Sequence, residues 1–237
     1  MNRFTKSLLI IALLFSGSIA VHANKLPENV FKKYTISANS SPALHKIVRE
    51  AAQSTHKSPR KARLLILKVF EKLHNGASID KYDYLWTQYS LLKSSYETNS
   101  GNFGPGTKAD FIKIAKNVLA YLKTQNVGEW KFTELGGFQM EVYRFAGNGL
   151  AWNLMDENNV SQKILQNALT LVIETERFIR GKQDFYIKDT KVRILLKLKR
   201  KNEAYKIVKT ILAKIPTFAD FQDFKKNKEY QEWNKTQ

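Results

Sequence analysis

Apolar residues recur at helical spacing along almost the whole chain. Leu44, Ile47, Val48 and Ala51 fall on one face of a short helix, entered by Ser41 as cap with Pro42 at the first helical position. Ser58-Pro59 repeats that entry signal. Ala62, Leu65, Ile66, Val69, Phe70 and Leu73 follow at helical spacing until Gly76 ends the helix. Asp80 opens a third helix with Leu85, Trp86, Tyr89, Leu92 and Tyr96 on one stripe. The stretch 99–106 (NSGNFGPG) is the clearest loop. Thr107 with Asp110 then forms a T-x-x-D entry to a fourth helix, whose core face runs from Phe111 to Leu122.

The second half continues the pattern. A long helix is expected over 134–157, an amphipathic one over 161–180, and a tight pair over 189–199 and 202–215 closed by Pro216. Gly147 and Gly149 lie inside the long helix. An interior glycine costs about 1 kcal/mol against alanine, so these positions predict close approach of another helix. Phe218, Phe221, Phe224, Tyr230 and Trp233 mark an aromatic tail expected to dock back on the last pair. Residues 24–40 lack periodicity and read as an extended lead-in. No β-type alternation persists beyond a few residues. The fold class is therefore all-α: stacked antiparallel α-hairpins, as an α-solenoid or an irregular helical bundle, in one domain over 41–237.

The last hairpin resembles a tetratricopeptide repeat. Ala204 takes the motif's small residue in the second helix, Val208 the apolar position four later, Ile211 the next, and Pro216 the terminating proline, with Leu195 inward on the first helix. Lys188, Lys191 and Val192 stand where the motif's early Trp and Leu-Gly would be. The resemblance implies helix pairs stacked to present a protein-binding surface.

The N-terminus changes the expected compartment. Arg3 and Lys6 precede the apolar run 8–15 (LLIIALLF), a break at Ser16-Gly17-Ser18, and Val21-His22-Ala23 before a cut. Residues 1–23 read as a cleaved secretory signal peptide. The run is too short to span a bilayer, which takes about 20 apolar residues. With zero cysteines, the reading is a periplasmic protein that needs no disulfides, touching a membrane surface at most and not integral to it. The missing cysteines also exclude thiolate metal sites and cysteine nucleophiles.

Charge is the feature that most demands an explanation. The chain carries 39 Lys+Arg against 21 Asp+Glu, net +18, which becomes +16 once Arg3 and Lys6 leave with the signal. Lys191, Arg193, Lys197, Lys199, Arg200 and Lys201 stand in a stretch without acids, and Lys206, Lys209 and Lys214 extend it. Arg60, Lys61, Arg63, Lys68 and Lys72 make a second basic helix. Such an excess suits an acidic partner, which it would steer and orient. Nucleic acid is disfavoured by the compartment and by the lack of interleaved stacking aromatics. The stripe Tyr82, Trp86, Tyr89, Tyr96 reads as helix–helix core. Tyr82 and Tyr84 cannot both face inward, which leaves Tyr82 as an interface anchor.

Catalytic chemistry finds little support. His45, His56 and His74 have no metal-ligand spacing, and His74 suits the cationic preference of a helix C-terminus. Glu134, Glu141, Asp156 and Glu157 read as a solvated helix face rather than a glycosidase acid. No phosphate-cradling or nucleophile-elbow motif occurs. The expectation is thus a non-enzymatic, cofactor-free binding protein, with an immunity protein against an acidic toxin as one concrete job. The alternatives are an envelope adaptor for peptidoglycan or anionic lipid and, behind it, a cell-wall hydrolase. The contact residues expected are Lys191, Arg193, Lys197, Arg200, Lys201 and Tyr82, and charge reversal at Arg193 and Arg200 is expected to weaken binding without loss of helicity.

Overall fold

The structure, a computed structural model, describes residues 26–55, 57–97, 107–125, 134–156, 159–179 and 184–236. The expected signal segment and the 99–106 loop lie outside these. Among the described residues the chain is all-α, with ten α-helices and a single isolated β-bridge between Ser37 and Asp80. It divides into two compact units, Met1–Asn117 and Val118–Gln237, where the sequence reading has one domain.

The first unit is built on α1 (Pro42–Ser54), α2 (Pro59–His74) and α3 (Lys81–Glu97), each packed against the other two. Proline stands at the first turn of α1 and of α2, but neither Ser41 nor Ser58 caps through its side chain. Gly76 ends α2 at φ 90°, a left-handed conformation that costs glycine nothing. The expected faces turn inward: Leu44 and Val48 of α1 and Ile66, Val69 and Phe70 of α2 are all buried, and the two helices pack on each other. The lead-in is not simply extended. Glu28–Phe31 forms a 3-10 turn with Leu26 and Val30 buried, and Ser37 and Ser41 donate backbone bonds to Ile79 and Ser78. Apolar side chains every four residues give that segment something to bury.

Helix α3 departs from the expected stripe. Tyr84, Leu85, Leu91 and Leu92 are buried, whereas Trp86 and Tyr89 are only part-buried and Tyr82 is 37% exposed. Thr87, Ser90, Ser94 and Ser95 are buried too. Packing against both α1 and α2 covers α3 on more than one side. Two of these hydroxyls bond locally, Thr87 Oγ1 to the Asp83 carbonyl and Ser94 Oγ to that of Leu91, and Ser95 Oγ accepts from Arg63, whereas Ser90 Oγ is buried without a partner among the described residues. Arg63 also leaves the basic surface predicted for α2. It is buried, with Nη2 2.9 Å from Asp110 of α4 (Thr107–Lys123) and Nη1 2.9 Å from Ser95.

The second unit holds α5 (Glu134–Met155), α6 (Gln162–Phe178), α7 (Phe185–Lys197) and α8 (Lys201–Lys214), each packed on the next. Ser161 caps α6 by accepting from Ile164 N. Gly147 fulfils the close approach read from the sequence: a Cβ built there would lie 2.2 Å from Thr175 Oγ1 of α6. The aromatic tail docks as expected through a 3-10 turn (Ala219–Phe221), α9 (Gln222–Lys226) and α10 (Lys228–Lys235). Phe221 is fully buried, and Tyr205 of α8 meets Phe224, Tyr230 and Trp233 with ring centroids 5.3–6.3 Å apart.

Candidate cationic groove

Each of the five basic residues expected as contacts in the second unit has a partner within the chain, whereas Lys199 between them is exposed and in no ion pair among the described residues. Lys191 Nζ lies 2.6 Å from Glu176 Oε2, tying α7 to α6. Lys197 Nζ donates to the Met155 carbonyl, the last of α5, where no intrahelical partner remains. Arg200 grips Glu203 through Nε and Nη2 at 2.6 and 2.7 Å. Lys201 reaches Glu229 of α10 at 2.6 Å. These pairs hold the Glu203 and Glu229 carboxyls below the usual range and raise their cations. Arg193 Nε sits 3.0 Å from both oxygens of Asp189, with its guanidinium 5.5 Å from the Trp152 ring centre. Burial pushes the Asp189 carboxyl up, and Arg193 opposes that. The run expected to face a partner therefore also fastens helix to helix.

The cations that extend the run differ: Lys206, Lys209 and Lys214 of α8 are exposed and make no ion pair among the described residues, although Lys206 helps to lower the Glu203 carboxyl. Lys206 and Lys214, which line one groove, stand eight residues apart, about 12 Å along a helix at 1.5 Å per residue. Between them run Ile207, Thr210 and Ile211, and opposite lie Phe185 and Lys188 of α7, enclosing a groove of about 250 Å³. Thr210 spends its hydroxyl on the Lys206 carbonyl at 2.8 Å, which leaves the floor apolar. Lys188 is drawn to Glu176 at 2.7 Å.

Local sequence explains how Phe185 reaches this floor. Helix α7 starts at Phe185, four residues before the 189 expected, because Asp184 caps it by accepting from the amides of Tyr186 and Ile187 at 2.9 and 3.1 Å. The same carboxylate binds Arg144 Nη1 at 2.6 Å, and Arg144 also grips Glu141 with two bonds of 2.7 Å. Glu141, a catalytic candidate on the hydrolase reading, is thus an ion-pair partner. Phe185 is held from behind by Phe218, ring centres 5.6 Å apart.

Tyr82 belongs to the first unit and lines a different groove. That groove, about 330 Å³, runs between α1 and α3. It contains a pair the sequence reading missed: His45 Nδ1 lies 2.8 Å from Asp83 Oδ2. The two are 38 positions apart, so no local spacing could announce them; the only sequence signal was a histidine on the polar edge of α1. Among the described residues no cluster of three His, Asp or Glu side chains could hold a metal ion, and no helix is long and apolar enough to cross a membrane. Comparison with models of protein families, with curated proteins and with solved structures finds no match to this chain.

Proposed function

We propose that this is a protein-binding protein whose α7–α8 groove receives an acidic, amphipathic segment of another protein. One observation carries the reading: Lys206 and Lys214, exposed and in no ion pair among the described residues, flank an apolar floor of Phe185, Ile207 and Ile211. An apolar side chain would enter the floor while carboxylates two helical turns apart meet the lysines. The positive excess of the chain would steer the encounter, and the lysine pair would fix the register. In this reading Lys191, Arg193, Lys197, Arg200 and Lys201 keep the hairpin in shape and add to its field. The tetratricopeptide-like hairpin and the export-type N-terminus favour a partner met outside the cytoplasm. An immunity protein that neutralises an acidic effector there is the job that suits these features best.

The test is titration of the mature protein with a helical peptide carrying Glu at two positions seven apart and Leu between them. Saturable, salt-sensitive binding is expected, weakened roughly tenfold or more by Lys206→Glu with Lys214→Glu, with helicity unchanged. Binding indifferent to that double variant would overturn the reading. Capture by anionic vesicles or purified sacculi, lost in the same variant while the peptide fails to bind, would move the assignment to an envelope adaptor.

A further inference from the structure

The second groove carries chemistry that an acidic protein partner does not call for. Its apolar base is Val48, with Ala52 one turn on, both on α1. One wall is aromatic: Tyr82 and Trp86 stand one turn apart on α3, ring centres 6.4 Å apart at 76°. The other wall is polar and periodic. His45, Arg49 and Gln53 occupy successive turns of α1, a line of about 12 Å at helical rise.

Each polar group has a defined capacity. Asp83 is 3% exposed at its side chain and holds His45 Nδ1 at 2.8 Å, while the imidazole remains 43% exposed. A carboxylate partner can only accept, so Nδ1 carries the hydrogen and Nε2 of the neutral ring is an acceptor. Asp83 is thus a positioning residue that fixes the tautomer. Arg49 is exposed and has no acid partner among the described residues, so its guanidinium fork is available to a carboxylate. The Gln53 amide both donates and accepts. The volume sits at the lower end of the ~300–1,000 Å³ typical of small-ligand sites.

We infer that this groove binds a carboxylate-bearing saccharide. The aromatic wall would take the apolar face of a pyranose ring, His45 Nε2 would accept from a sugar hydroxyl, Gln53 would bridge a second, and Arg49 would clamp the carboxylate. An acidic peptide would use Arg49 but would leave the aromatic wall without a ring to stack on. A neutral sugar would leave Arg49 without its counter-charge. This inference does not rest on the proposed function, since the groove lies wholly in the first unit and its residues are other than those of the cationic groove.

The experiment is calorimetric titration of the mature protein with tetragalacturonate and with the N-acetylglucosamine–N-acetylmuramic acid disaccharide. Methyl-esterified tetragalacturonate and hexaglutamate serve as controls, and the Trp indole and His imidazole resonances are followed by NMR. Saturable binding of at least one acidic saccharide is expected, with shifts in both resonances, and the arm that binds distinguishes a uronate from a lactyl-ether sugar as the source of the carboxylate. Arg49→Gln should weaken it roughly tenfold or more. Asp83→Asn, whose amide can donate to Nδ1 and so reverse the tautomer, should weaken it and alter the imidazole spectrum. Lys206→Glu with Lys214→Glu should leave it unchanged, which separates failure here from failure of the proposed function. Absence of binding by both acidic saccharides, equal binding of the ester or of hexaglutamate, or indifference to Arg49→Gln would each overturn the inference.

Discussion

Gly147 of α5 and Thr175 of α6 touch so closely that no side chain fits between them; a Cβ on Gly147 would stand 2.2 Å from Thr175 Oγ1 and 3.3 Å from its Cβ. Thr175 is fully buried, and its hydroxyl is committed to the Leu171 carbonyl at 2.7 Å, so it cannot simply turn away. Gly147→Ala is expected to destabilise the protein. Overpacking costs about 1–3 kcal/mol, offset by roughly 1 kcal/mol of helix propensity. The double variant with Thr175→Ala should recover part of the loss. Urea unfolding of the four corners of that cycle checks the coupling.

The Arg63–Asp110 pair sets a second expectation. Arg63 is 8% and Asp110 16% exposed at the side chain. Removing one partner of a buried pair costs about 3–5 kcal/mol, whereas replacing both by apolar residues is often close to neutral. Arg63→Met alone should therefore be strongly destabilising, and Arg63→Met with Asp110→Leu much less so. Thermal melts of the two variants decide between this and a surface cation, for which Arg63→Met would change little.

Asp80 gives a pH dependence with a definite sign. Burial raises its carboxyl, but bonds from the Asp83 and Tyr82 amides and from Ser40 outweigh this and leave it below its ordinary value of 3.8. A group depressed in the folded state contributes stability above its unfolded value, and that contribution disappears as pH falls through the folded value. Asp80 accepts from Asp83 N at 2.8 Å at the start of α3, so Asp80→Ala should cost about 1 kcal/mol at neutral pH. The gap between wild type and variant should stay constant above pH 5 and close as pH drops below about 4.

Charge reversal separates the two kinds of cation. Arg193→Glu would set a second carboxylate against buried Asp189 one turn away and remove the contact with Trp152. A loss of about 1–3 kcal/mol is expected, seen as a lower Tm. Lys206→Glu changes an exposed side chain that makes no ion pair among the described residues and should stay within about 0.5 kcal/mol. Equal effects in the two variants would contradict the difference drawn between them.

The helix faces were legible because burial imposes its own period. Leu44 with Val48, Ile66 with Phe70, and Leu165 with Leu169 and Val172 recur at the spacing of one buried side. Gly76 and Pro216 marked helix ends by backbone chemistry, and Gly147 marked a close approach by its own helix-breaking cost. Partners across the fold were not legible. Arg63 and Arg193 sit in basic stretches that look identical whether they face water or a carboxylate. Helix α3 buried Leu85 and Leu92 of its expected stripe but left Trp86 and Tyr89 half-covered, while Thr87 and Ser94, whose hydroxyls bond within the helix, went inside. His45 and Asp83 meet only after α1 and α3 have packed.

The aromatic return of the chain across α8 has a practical consequence. Tyr205 is shielded there by Phe224, Tyr230 and Trp233, so trimming the protein back to Pro216 would uncork an oily end and invite molecules to stick end to end. An affinity handle belongs behind Thr236, where it adds to the plug instead of pulling it out.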